Sequence, residues 1–155
     1  MQVRQRAYLI IHSNTLTPAD ITALVRLSPT ETKERGSRHP GPPPIPRCHL
    51  WTLETGIGEM ATLEDHLDVL VPVIRDAQER LRLVAASPDT MLNIMIVRHF
   101  EEADEVFHEA TYGIEPSSNI VRLGGQHPFL GWEVDADVLH LLASCGIGFD
   151  VDEDG

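Results

Sequence analysis

The densest group of metal-ligating side chains lies in "RHFEEADEVFHE", residues 98–109. A helix over residues 103–110 would set Asp104 and His108 on one face at i, i+4. His99 or Glu101 could then join them. Imidazole with carboxylate suits zinc and related ions, but such a site needs three or four protein ligands. His12 and His127 are available, and nothing in the sequence brings either one near. The plainer alternative is a solvated acidic helix with histidines beside its carboxylates.

Three other stretches carry partial chemistry. "GIGEMA", residues 56–61, fits the G-x-G-x-x-G/A spacing of a dinucleotide-binding turn between a strand and a helix. Glu59 would put a carboxylate where a pyrophosphate belongs, and the helix start signal at Thr62 comes after the glycines. An ordinary strand-to-helix turn is the expectation. Cys48 beside His49 suggests a thiol nucleophile and its base. Neighbours on a strand point to opposite faces, so that pair needs a different histidine. Cys145, followed by Gly146, reads as a packed helix end with a glycine cap. "GFDVDEDG" at residues 148–155 spells the first half of a calcium loop from Asp150. The sequence holds no residues for its seventh and twelfth ligand positions. A strand is expected there, with Asp150 and Asp152 on one face and Phe149 and Val151 on the other. No G-x-S-x-G, phosphate-binding P-loop, H-E-x-x-H or paired C-x-x-C pattern occurs. No cofactor is expected.

The elements that must position these residues follow from periodicity. "RAYLIIHS" is a short β-rich run. "TPADITALVRL" reads as a helix, with Thr17 as cap, Pro18 in the first turn and Asp20 at the capping-box position. Its apolar face would be Ile21, Leu24, Val25 and Leu27. "TETKERG" is a polar strand at a sheet edge, and "CHLWTLETG" alternates as a strand with His49, Trp51 and Leu53 on one face. The long helix beginning at Thr62 presents Leu63, Leu67, Leu70, Ile74, Leu81 and Val84 to the core. Pro72 should kink or divide it. "TMLNIMIVRHF" is apolar on both faces and reads as a central strand. "FLGWEV", "DADVLHLLASCG" and "IGFDVD" close the chain as strand, helix and strand. Trp51 and Trp132 both fall on strands; either packs in the core or anchors an interface.

The chain has 155 residues, enough for one domain with a substantial core. The order of elements predicts a single α+β domain over residues 1–155. It would have a ferredoxin-like βαββαβ core extended by a further βαβ unit. About six strands would form a mainly antiparallel sheet, and three main helices would pack on one face. Residues 37–47, "SRHPGPPPIPR", form a proline-rich loop, and residues 101–127 an irregular insertion. Two cysteines far apart in sequence read as reduced thiols, and no apolar run is long enough to span a bilayer. A cytoplasmic protein is expected. The net charge of −12 repels phosphate backbones, so nucleic acid is an unfavoured partner. A basic protein is a favoured one.

The stretches "YLIIHSNTLTPADITALVRLSPTETKERG", "HLWTLETG", "TLEDHLDVLVPVIRDAQERL" and "GWEVDADVLHLLASCGIGFDVD" occur in this order. In that order they resemble the bacterial domain-of-unknown-function family 4279. Trp51, Asp150 and Asp152 are the best-matched single positions. The proline loop and the region from Glu101 to His127 look like elaborations. The resemblance implies a compact α+β domain with a mainly antiparallel sheet and helices on one side, and no particular activity.

The resulting expectation is a non-catalytic protein-binding module, such as an immunity or antitoxin-like protein that occludes a basic toxin. Contacts would come from Trp51, from Glu101, Glu102, Asp104 and Glu105, and from Asp152, Glu153 and Asp154. The alternative is a small-ligand or metal-binding domain, or an enzyme, using His99, Asp104 and His108. A homodimer through sheet edges is a third arrangement.

Overall fold

Alternation along the first strand decides where the core lies. In β1 (Gln2–Ser13) the side chains of Ala7, Leu9 and Ile11 are buried, while Tyr8, Ile10 and His12 between them are only half-buried. A computed structural model describes residues 2–101 and 133–154, and all that follows concerns those residues. The remaining elements are α1 (Pro18–Val25), β2 (Glu31–Lys33), β3 (His49–Glu54), α2 (Leu63–Asp76), α3 (Gln78–Ala85), β4 (Thr90–Glu101), α4 (Ala136–Cys145) and β5 (Ile147–Asp154). This is a mixed α+β fold with a five-stranded open sheet. The strand order is β2-β3-β1-β4-β5. Every neighbouring pair is antiparallel except β4 and β5, which run parallel.

Register aligns the buried positions into one continuous face. Ile11 sits between Trp51 and Leu92, Leu9 between Leu53 and Ile94, and Ala7 opposite Ile96. Against this face pack Ile21 and Val25 of α1, Leu67, Leu70 and Ile74 of α2, Leu81 and Val84 of α3, and Leu142 and Cys145 of α4. Each fully buried Leu or Ile contributes about 1.5–3 kcal/mol of transfer free energy. The long-helix positions expected in the core are all buried.

The predicted capping box at Thr17 forms, and the start signal at Thr62 proves to be a second one. Thr17 accepts from the Asp20 amide while the Asp20 carboxylate accepts from the Thr17 amide (3.0 Å), and Thr62 and Asp65 repeat the arrangement. Hydrogen bonds donated by the Thr17 and Thr62 hydroxyls, and then by the amides of the same residues, hold both carboxyl groups below their usual range. The capping boxes satisfy amides that a helix start otherwise leaves unpaired.

Several expectations need correction. Pro72 neither ends nor divides the helix: α2 runs through it to Asp76, and the break falls at Ala77, with φ −93° and ψ 5°. Pro72 is exposed, so the carbonyl it leaves unpaired can be hydrated. The break instead marks where packing partners change, from β1 for α2 to β4, α1 and α4 for α3. Leu24 is 40% exposed rather than part of the α1 core face. The edge strand β2 is only three residues long. Glu133 and Val134 lead into α4 without strand pairing; the rest of "FLGWEV" and residues 102–132 lie outside the described residues. The described sheet therefore has five strands, and the strand parallel to β5 is β4.

Candidate functional site

The helices cover one face of the sheet, so chemistry on strand residues divides by face. On the open face, register builds rows across the strands. Leu50, His12 and Met91 form one row; Thr52, Ile10, Asn93 and Gly148 the next; then Glu54, Tyr8, Met95 and Asp150; then Arg6, Val97 and Asp152. The rows pass from apolar at one end to charged at the other. Gly148 is fitted to its row: a Cβ there would lie 2.3 Å from Oδ1 of Asn93.

Among the described residues β5 ends the sheet, and it carries Asp152, Glu153 and Asp154 of the acidic residues predicted as contacts, together with Asp150. Asp150 and Asp152 are exposed on the open face, two residues apart. Glu153 points to the other side, where Oε1 accepts from Nη1 of Arg98 at 2.6 Å. The Arg98 side chain is almost wholly buried and lies over the Phe100 ring, 5.2 Å from its centroid. Glu153 therefore fastens β5 to β4, and Asp150 and Asp152 are left for contacts. Asp154 pairs through the backbone with His99, and Glu101 ends β4 opposite Gln2. Glu102, Asp104, Glu105, His108 and Trp132 lie outside the described residues.

Trp51 is wholly buried, as the core-packing reading of the two has it, and not exposed as a contact would be. Its ring occupies the helix-facing side of β3, and Nε1 donates to Oγ1 of Thr22 on α1 at 3.0 Å. A residue sealed between a strand and a helix cannot present its ring to a partner. Of the metal candidates, His99 is exposed on β4 and Asp104 and His108 are outside the described residues. Among the described residues no three His, Cys, Asp or Glu side chains come close enough to hold a metal ion.

"GIGEMA" is a turn bound to β1. The Gln5 amide donates to the Glu59 carbonyl (2.7 Å), and the Gln5 side chain to the Ala61 carbonyl (2.7 Å). The Glu59 carboxylate accepts from Nε and Nη2 of Arg6 and lies 3.6 Å from Arg4. The hydrogen bond from Arg6 holds this carboxyl below its usual range. The Glu59 carboxylate is thus taken up by the arginines of β1. Gly56, at φ +70°, supplies the left-handed residue that closes the turn.

Two histidine arrangements escaped the sequence reading. His66 is 1% exposed at the start of α2. Nε2 lies 3.2 Å from the Gln5 carbonyl and Nδ1 lies 2.7 Å from the Thr55 hydroxyl. A carbonyl only accepts, so Nε2 carries the proton and Nδ1 accepts from Thr55. Burial pushes the His66 pKa down, which keeps the ring neutral. Cys48 and His49 diverge as the strand requires: Nδ1 of His49 accepts from the Arg35 amide at 3.1 Å. The imidazole beside Cys48 is that of His12, with Sγ and Nδ1 3.6 Å apart. The one signal for it was the pairing register of β1 with β3, which no local pattern encodes.

No helix among the described residues is long and apolar enough to cross a membrane. The family model described as "Domain of unknown function (DUF4279)" matches residues 1–155. No curated protein and no solved structure matches the chain.

Proposed function

The chain belongs to the DUF4279 family, and we propose that it is a non-catalytic module that binds a basic protein along β5. The observation that carries this reading is the pair Asp150 and Asp152, exposed on the open face of the strand that ends the sheet among the described residues. Beside them the open face carries Tyr8, Met95 and Val97, all half-buried. That combination gives a partner charges for orientation and apolar area for affinity. The chain's net charge of −12 adds long-range attraction toward a basic surface. A second copy of the same chain would bring carboxylates against carboxylates at this edge, which disfavours a homodimer there. In the cytoplasm such a module would act by occlusion, as an immunity or antitoxin-like protein does with a toxin. We read the four strands β2-β3-β1-β4 as a ferredoxin-like core; their antiparallel neighbours and the α1 and α2-α3 crossovers support this, with β5 added outside β4.

The test is co-purification from the host at native abundance. Recovery of a stoichiometric basic protein at low salt, released as ionic strength rises, is the expected result. Recovery of no protein partner, or of an acidic one indifferent to salt, would refute the reading.

A further inference from the structure

We infer that Cys48 and His12 form a thiol–imidazole pair that exchanges with small anionic disulfides, drawn in by the arginines of the loop preceding β3. The inference is independent of the proposed partner site, which lies at the opposite edge of the sheet.

The geometry is that of a nucleophile with its base. Sγ of Cys48 lies 3.6 Å from Nδ1 of His12, within reach of a hydrogen bond to sulfur. Both groups are half-buried on the open face, so a small reagent can reach the thiol. Partial burial lowers the His12 pKa and leaves the ring neutral and able to accept a proton. The second cysteine cannot serve as a resolving thiol. Cys145 is 1% exposed and packs on the helix side of the sheet. Oxidation of Cys48 by a disulfide must therefore stop at the mixed disulfide.

The surrounding charge is a separate observation. Residues 33–48 hold Lys33, Arg35, Arg38 and Arg47, with Glu34 as the only acid. This basic stretch lies in a chain whose net charge is −12. Arg35, Arg38 and Arg47 are exposed and take part in none of the ion pairs among the described residues. Their frame is fixed. The Gly36 amide donates to the Pro46 carbonyl (2.9 Å), and Ile45 exchanges backbone hydrogen bonds with His39. The loop leading into Cys48 thus carries a net positive charge, which favours an anionic reagent over a neutral one.

The step balances without another oxidant. Nδ1 of His12 takes the thiol proton as Sγ attacks one sulfur of the disulfide R–S–S–R. The S–S bond breaks, and the departing R–S⁻ takes the proton from the imidazolium. Cys48 is oxidised to Cys48–S–S–R, and one half of the reagent is reduced to R–SH.

The experiment uses the full native chain with two probes, dianionic 5,5′-dithiobis(2-nitrobenzoate) and neutral 4,4′-dithiodipyridine. We expect native protein to release one equivalent of thiol and urea-unfolded protein two, matching its two cysteines. Cys48→Ser should release none in the native state. His12→Asn should slow the native reaction by about tenfold or more. The double variant Arg38→Gln/Arg47→Gln should slow the anionic probe several-fold more than the neutral one, on the order expected for loss of local charge. Circular dichroism checks that each variant is folded, and the endpoint in urea should be two equivalents for every variant except Cys48→Ser, which should give one. If His12→Asn does not fold, the wild-type ratio of anionic to neutral rates decides, and it should exceed that of N-acetylcysteine. An unreactive native thiol, a folded His12→Asn that reacts at the wild-type rate, or a wild-type ratio no higher than that of N-acetylcysteine would overturn the inference.

Discussion

His66 links three parts of the molecule through one neutral ring: α2 carries it, and its partners are the β1 backbone at Gln5 and the Thr55 hydroxyl. Its folded pKa lies below the unfolded value of 6.5, as does that of His12. The unfolded chain thus binds more protons just below pH 6.5, and stability falls as pH drops through that window. Urea midpoints should be flat from pH 8 to about 7 and then decline toward pH 5.5. His66→Gln should be less stable at pH 8 and show a shallower decline; an equally steep decline would mean the titrating group is elsewhere. Trp51 gives a second expectation. Thr22→Val leaves the indole N–H buried without its acceptor and should cost about 1–3 kcal/mol in urea unfolding. Neither residue was legible beforehand in this role. The alternation of "CHLWTLETG" did give the face of Trp51, but burial depends on α1 lying over it. His66 reads in sequence as one polar position on an amphipathic helix.

Helix starts were legible because a capping box is written in four consecutive residues, as at Thr17–Asp20 and Thr62–Asp65. The interruption of the long helix was not, because local chemistry pointed to Pro72 whereas tertiary packing put the break at Ala77. The end of α4 combines both kinds of constraint. Gly146 caps it at φ +69°, and a Cβ there would lie 3.2 Å from the Ala85 methyl of α3. Gly146→Ala should therefore destabilise by about 1–2 kcal/mol from the left-handed backbone alone, and somewhat more from the contact. An unchanged urea midpoint would show that the cap relaxes freely.

Among the described residues, charge of opposite sign gathers at two separate places. The β5 edge carries Asp150 and Asp152, and the loop joining β2 to β3 carries Arg35, Arg38 and Arg47. Net charge concealed this division, since −12 describes the sum and not its placement. Composition nevertheless pointed to a basic partner, and the proposed function puts its contacts on the β5 edge. The decisive measurement is the affinity of the co-purified basic protein for the wild-type chain and for Asp150→Lys/Asp152→Lys, at two ionic strengths. Both chains should unfold at similar urea concentrations, because these side chains are exposed. The account predicts that charge reversal weakens binding by about tenfold or more, chiefly through slower association, and removes most of its salt dependence. Equal affinity and equal salt dependence for the two chains would contradict it.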